Sequence, residues 1–316
     1  METKYWPLGV GLIFVIASCG LWFDPEEPSQ SADGIPVTDG GTDIGGTDDA
    51  SGGNDTSGEP GGDVCLQGNE GDTYTLNLNF DSEDALTTRL SLLNTNIEDW
   101  ILRPSSVNPF GEGHLCCGQS LHIRNDPDDI DNDKDVQYAV IPSSSAWKTT
   151  QGSVSFWVKL SAFDPDVNNG RQGLISRDAF GTDNAGHFSI WADGRTVVLR
   201  LQDTQNEVHL RAFDALTANR WYHIGANFGG DEGLELYIDG KLEEKDVTAK
   251  WGIDGNNNPW AIGATIKHSN EGSAQGADLY SLDALFDDVQ ISNQRRNFDY
   301  IQKVLTLADE QDNACR

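Results

Sequence analysis

The chain has 316 residues, with 51 Asp or Glu against 21 Lys or Arg, which gives a formal net charge of −30 at neutral pH. Such a surplus disfavours nucleic acid as a partner, and direct adsorption to an anionic membrane, because both require basic patches. Composition then divides the chain into residues 1–18, 19–64 and 65–316. The first segment carries Lys4 near its start and an apolar run over residues 8–17 that stops at Ser18-Cys19. That run is shorter than the ~20 residues a bilayer span takes. A charged start and an apolar middle are the marks of a secretory signal.

The tetrapeptide Ile16-Ala17-Ser18-Cys19 resembles the bacterial lipobox, in which a branched apolar residue and two small ones precede a cysteine. The resemblance implies a diacylglycerol on the Cys19 thiol, removal of residues 1–18, and attachment to a membrane through this lipid. Two or three acyl chains, at ~0.8 kcal/mol per buried methylene, anchor a protein stably. Gly20 follows, where an inner-membrane retention signal would often have Asp. In a Gram-negative cell, the expected location is therefore the outer membrane, on its periplasmic face or the cell surface.

Residues 20–64 are rich in Gly, Asp, Ser, Thr and Pro, with eleven acidic side chains between Asp24 and Asp63 and no Lys or Arg. A segment with so little to bury is expected to stay disordered. As a coil it would span roughly 35 to 40 Å, and charge repulsion lengthens it further.

Residues 65–316 are long enough for one large β domain. They contain Cys65, Cys116, Cys117 and Cys315, an even number that suits an oxidising compartment. Three pairings are open; a Cys116 to Cys117 bridge would strain the peptide between them. The positions therefore favour Cys65 and Cys315 each joining one of the adjacent pair.

The local patterns are those of strands. Tyr74, Leu76, Leu78 and Phe80 alternate with polar residues, as do Val154, Phe156 and Val158. Val197, Leu199 and Leu201 form another face, followed by Ile224, Ala226 and Phe228, and by Leu234, Leu236 and Ile238. This period of two predicts strands with one buried side. Asp239-Gly240 then predicts a tight hairpin turn into Lys241-Leu242-Glu243. Residues 163–185, with Asp164, Asp166, Asn168, Asn169, Asp183 and Asn184, read as a loop. A helix is expected over residues 297–308, with Phe298, Ile301, Val304 and Leu305 on one side.

Six segments follow one another in a recognisable order: Gly118-Gln119-Ser120-Leu121-His122-Ile123, Tyr138-Ala139-Val140-Ile141-Pro142, Gly152-Ser153-Val154-Ser155-Phe156-Trp157-Val158-Lys159, Arg220-Trp221-Tyr222-His223-Ile224, Leu236-Tyr237-Ile238-Asp239-Gly240-Lys241 and Phe286-Asp287-Asp288-Val289-Gln290-Ile291. Together they resemble the laminin G-like branch of the concanavalin A-like lectin/glucanase jelly rolls, over nearly all of residues 73–308. The resemblance implies an all-β sandwich of two antiparallel sheets with a short C-terminal helix. It also implies that Trp157 and Trp221 pack in the core. Relatives bind glycans or proteins or accompany enzymes, so function must be argued from sites.

Glucanases of this superfamily use a Glu-x-Asp-x-x-Glu strand, since glycoside hydrolysis takes paired carboxylates. The segment Glu232-Gly233-Leu234-Glu235-Leu236-Tyr237-Ile238-Asp239 does not match it, and Glu243-Glu244 point to opposite faces of a strand. The expectation is a domain without catalytic residues, in which His223 serves packing and hydrogen bonding. Structural calcium is expected by resemblance at Asp81 and Asp287, with a carbonyl from Gly118. A second calcium candidate is the run Asp129, Asp131, Asp133 and Asp135, which resembles half an EF-hand loop but lacks its Gly and terminal Glu. For glycan, the candidates are Trp191, Trp251 and Trp260 as stacking platforms, with Asn256 in the polar loop between the last two. The partner is then a glycan or glycoprotein. The alternatives are an envelope protein that contacts another protein, and a polysaccharide-active enzyme.

Overall fold

The computed structural model describes residues 76–78, 80, 101–103, 110–116, 118–125, 137–163, 168–178, 185–268, 274–281 and 283–310. All lie in the larger of the two units into which the chain divides, Glu59–Arg316. Cys19, the signal and the tether fall outside the described residues, as do Cys65, Cys117, Cys315, Asp81 and the run from Asp129 to Asp135. Of Cys116 only the backbone falls within them.

Two antiparallel sheets make the domain. The first contains, in order, β13 (Lys241–Asp246), β12 (Leu234–Ile238), β11 (Trp221–Gly229), β6 (Gln151–Leu160), β17 (Asp283–Ser292), β4 (Gln119–Arg124) and β3 (Phe110–Glu112), and β1 (Leu76–Leu78) pairs with β17. The second contains β10 (Glu207–Ala212), β9 (Thr196–Gln202), β8 (His187–Asp193), β7 (Arg171–Arg177), β14 (Trp260–Ile262), β5 (Tyr138–Ile141) and β2 (Ile101–Arg103). A hairpin of β15 (Ala264–His268) and β16 (Ala274–Tyr280) pairs only with itself among the described residues. This is the sandwich that the alternation and the order of segments predict.

Strand parity explains where the core sits. Val154 and Phe156 of β6 face Ala226 and Ile224 of β11 across the register, and with Val158 and Phe228 on the same side of the sheet they are buried in the main core. Phe188, Ile190, Val197, Leu199 and Leu201 of the second sheet fill that core from the other side. The predicted turn is present: Asp239 and Gly240 both adopt positive φ, 52° and 76°, which suits the twist of a two-residue hairpin.

The long central strands are buried on their other side too. One helix, α1 (Asp299–Glu310), begins two residues later than expected because Asn297 caps it, its side-chain oxygen accepting the Asp299 N–H at 2.7 Å. Its apolar side, Ile301, Val304, Leu305 and Ala308, packs with Leu115, Trp157 and Trp221 as a second core on the outer face of the first sheet. Burying each of the larger aliphatic side chains contributes about 1.5 to 3 kcal/mol. Trp157 and Trp221 are thus buried as expected, but beneath the helix rather than between the sheets.

Residues 163–185 are not one loop. They contain β7, whose Leu174 and Ile175 enter the main core. Alternation there is broken by a register shift between Gly173 and Ile175, and this hides the strand from a reading based on period. At the opposite margin, β13 presents charged, exposed residues along the edge of the first sheet. Its Glu244 carboxylate accepts the backbone N–H of Arg211 in β10, across the gap to the second sheet.

Candidate functional site

The first polar cluster lies under α1. His114 stacks on Trp157 with ring centroids 4.6 Å apart, and its Nδ1 lies 2.9 Å from Asp287 Oδ2. The same oxygen accepts the His114 backbone N–H at 3.0 Å, and Oδ1 accepts the N–H of Asp288 at 2.8 Å. Asp287 is therefore buried, with both oxygens engaged in hydrogen bonds. Gly118 is exposed, and its carbonyl accepts the Gly113 N–H. Among the described residues, no three His, Cys, Asp or Glu side chains form a group able to hold a metal. His223 sits against Trp157 and Phe298, at 5.4 and 5.5 Å between ring centroids, fully buried, and its Nδ1 has no hydrogen-bond partner among the described residues. Burial, and secondarily the neighbouring His114, pull its imidazole down to about 3.

The second cluster overturns the expected glycan loop. Arg177, at the end of β7, is fully buried, and its guanidinium donates to the carbonyls of Asn258 (3.0 Å), Trp147 (3.1 Å), Ile253 (2.7 Å) and Asn256. Burial pulls its pKa down to about 10, so it keeps its charge at neutral pH. Asn256 answers by donating to the carbonyls of Arg177 (2.8 Å) and Gly186 (3.1 Å), while its oxygen accepts the Asn258 N–H. Asn256 and Asn258 are thus spent on the loop's own folding and are buried, while Asp254 and Asn257 are exposed.

Trp260 is likewise completely buried, edge-on to Phe188 at 5.5 Å, and offers no platform. Trp251 is half-buried against the main core. Trp191 is half-buried too, but on the outer face of the second sheet, since it pairs with Gly173 and Val198 while the core takes its neighbours Ile190 and Ala192. The three tryptophans therefore do not line one groove: Trp260 and Trp191 point to opposite faces of the same sheet.

A concavity does exist elsewhere. A groove of about 430 Å³ opens between the β10–β11 connection, the β12–β13 turn and the outer side of α1. Phe213 stands in it 74% exposed. Beside it, the Arg220 guanidinium lies 4.7 Å above the Tyr222 ring and pairs with Asp239 at 3.2 Å, and Lys241 pairs with Glu243 at 2.9 Å. Gln302 and Thr306 of α1 complete the wall. The sequence offers one signal for Phe213: an aromatic residue directly before Asp214 in a turn, at a position that strand alternation does not bury.

A smaller recess, about 200 Å³, holds His122, Lys159, Ser161 and Asp283. His122 Nε2 lies 2.6 Å from Asp283 Oδ1, yet the Ser161 hydroxyl donates to the Asp283 carbonyl. The serine is thus bonded away from the histidine, and the nucleophile–base pair that covalent catalysis needs is not formed.

Two facing antiparallel sheets, a helix closing one of them and an aromatic-bearing groove at one end define a lectin-like sandwich. The chain belongs to the concanavalin A-like lectin/glucanases superfamily, whose laminin G-like family model matches residues 133–302. No curated protein matches the chain. Similar solved structures include the receptor binding domain of botulinum neurotoxin D, at 14% identity and TM-score 0.45, covering 67% of this chain and 48% of that one. The binding domain of Paraclostridial Mosquitocidal Protein 1 is similar at 14% identity and TM-score 0.45, covering 68% and 48%. The Ruminococcus gnavus IT-sialidase CBM40 bound to alpha2,3 sialyllactose is similar at 16% identity and TM-score 0.41, covering 53% and 92%. The chain spans about half the length of the two toxin domains.

Two predictions follow from the buried clusters. Arg177→Met leaves three buried carbonyls, of Trp147, Asn256 and Asn258, without their donor, while that of Ile253 keeps the Asn256 N–H, at ~1 to 3 kcal/mol for each that finds no water. The expected loss of at least ~3 kcal/mol lowers the thermal midpoint by roughly 6 to 12 °C, and an unaltered midpoint would show that the knot contributes nothing. His223 is neutral in the fold but takes a proton near pH 6.5 when unfolded. Its contribution is complete above pH 6.5 and declines as pH falls toward 3, by up to about 1.4 kcal/mol per pH unit. Denaturant titrations should show a shallower acid slope for His223→Gln than for the parent; equal slopes would contradict a neutral, buried imidazole.

Proposed function

We propose that this chain is an exported, lipid-anchored binding module without catalytic activity, and that its sandwich holds carbohydrate, free or on a glycoprotein, in the groove beside Phe213. The observation that carries this reading is an exposed aromatic ring in a concavity of about 430 Å³ rimmed by paired charges of both signs. A sugar presents an apolar C–H face to such a ring and hydroxyls to the donors and acceptors around it. That volume lies within the ordinary range for small-molecule sites. Absence of catalysis is supported by two of the groove carboxylates: Asp239 holds Arg220 and accepts the His223 backbone N–H, and Glu243 holds Lys241.

Phe213→Ala is expected to weaken binding to the neutral members of a glycan array at least tenfold without lowering the thermal midpoint, since the ring is exposed. Undiminished binding would remove the groove from the proposal, and release of sugars from a polysaccharide panel would end the non-catalytic reading. The anchor is part of the same proposal and rests on the Ile16-Ala17-Ser18-Cys19 sequence. With Cys19→Ser the protein is expected to leave the membrane fraction; retention there would refute lipidation at this residue. Calcium held by Asp81 or by Asp129, Asp131, Asp133 and Asp135 stays within the proposal. Equal unfolding midpoints in calcium and in chelator would discard it.

A protein-contact reading has its own support. Phe213, Leu242 and Val247 are exposed apolar residues at or beside β10 and β13, strands that Glu244 joins. Co-purification of one envelope protein, lost with Leu242→Asp and accompanied by a silent glycan array, would replace the carbohydrate reading.

A further inference from the structure

The outer face of the second sheet carries a separate grouping. Strand register arranges its side chains in rows across β7, β8, β9 and β10: Arg171, Asp193 and Thr196; then Gly173, Trp191, Val198 and Arg211; then Ser176, Ser189, Arg200 and His209. Paired residues of an antiparallel ladder project to the same side, and neighbouring strands lie about 4.8 Å apart. Trp191 is therefore flanked by arginines on both sides, Arg171 and Arg200 diagonally and Arg211 beyond Val198.

Gly173 shapes this face. A Cβ at that position would fall 2.5 Å from the Thr265 nitrogen and 2.6 Å from the Leu279 oxygen, so the β15–β16 hairpin crosses directly over it. The hairpin forms a wall beside Trp191, and His209 stands edge-on to the indole at 5.6 Å on the other side. The indole N–H is buried and has no partner among the described residues.

The guanidiniums on this face are unequally satisfied. Arg200 is held by Asp178 at 2.9 Å and Glu207 at 2.8 Å. Arg171 and Arg211 converge on one carboxylate oxygen, Asp193 Oδ2, at 3.7 and 4.0 Å, both too long for a hydrogen bond. Two cations thus share one anion, with side chains 51% and 39% exposed. Each guanidinium has five N–H donors in a fork that matches a carboxylate. The Arg171–Arg211 pair thus carries one positive charge in excess of its shared carboxylate, on a chain of net charge −30.

We propose that the outer face of the second sheet is a binding site for an acidic sugar, one bearing an isolated carboxylate that Arg171 and Arg211 hold while the sugar ring lies against Trp191. The same net charge argues against a densely sulfated or phosphorylated polymer, whose charges would extend past the two arginines onto an acidic surface. The site is independent of the groove at Phe213.

The test is a glycan array with neutral, carboxylated and densely sulfated members, read with the full chain and three variants: Arg171→Gln with Arg211→Gln, Trp191→Ala, and Phe213→Ala. All replaced side chains are exposed or half-buried, and each variant's thermal midpoint verifies folding. The expected result is binding of carboxylated members that the double arginine variant weakens by about a hundredfold, at roughly tenfold per lost charge-assisted contact. Trp191→Ala should weaken it about tenfold, and Phe213→Ala should leave it unchanged. Should Trp191→Ala unfold the chain, methyl esterification of the bound sugar replaces it, with loss of binding expected. Preference for the densely sulfated members, binding of neutral members alone, an empty array, or loss with Phe213→Ala but not with the arginine pair would each overturn the proposal. The last of these would leave the groove reading intact.

Discussion

A buried guanidinium with no carboxylate against it among the described residues sets the terms for one end of this sandwich. The charge of Arg177 is met by backbone carbonyls from two separate stretches, Trp147 before β6 and Ile253, Asn256 and Asn258 in the connection between β13 and β14. Neither of these stretches can move without exposing a charge to an apolar interior, a change that is costly. The next residue projects to the opposite face, as strand geometry requires. There Asp178 takes the Arg200 guanidinium and the His187 ring. One dipeptide therefore fixes the loops inside the sandwich and an arginine on its outer surface.

The second determinant is burial on both sides of the first sheet. β6, β11 and β17 are covered along nearly their whole length, by the other sheet within and by α1 and the His114 segment without. Small and polar residues that alternate with the aliphatic ones are consequently not solvent-facing. Ser155 donates toward Gln290 across the outer face, and Asn227 bonds Glu235 and the Arg296 carbonyl. Period-two patterning reports which side chains face the main core, and it did so correctly here for Val154, Phe156, Val158 and the matching positions of β11. It carries no information on what covers the other side, and this is why Trp157 and Trp221 belong to a different core from the one expected.

Fold was legible because alternation, a turn dipeptide and a capped helix are local properties. The candidate sites were not. Asn256 and its neighbours have the composition of a ligand loop, yet their donors and acceptors are consumed by a distant arginine that no local pattern links to them. Trp260 and Trp191 look alike in sequence and differ by facing the core or the solvent. Asp287 belongs to a recurring Asp-Asp-Val segment, but whether its carboxylate meets a cation or the N–H groups of His114 depends on a chain reversal more than 170 residues earlier. Phe213 and the convergence of Arg171 with Arg211 are long-range arrangements, visible once the strands are in register.

The margin formed by β13 has a bearing on how such domains behave in numbers. An edge strand is a template on which another chain can add itself. Here the strand reads Lys241, Leu242, Glu243, Glu244, Lys245 and Asp246. One of its carboxylates already occupies an N–H on the facing edge strand. A second molecule arriving at this margin meets charge on one strand and a capped donor on the other. Many copies crowded onto a small area of surface would therefore resist zipping into a continuous sheet.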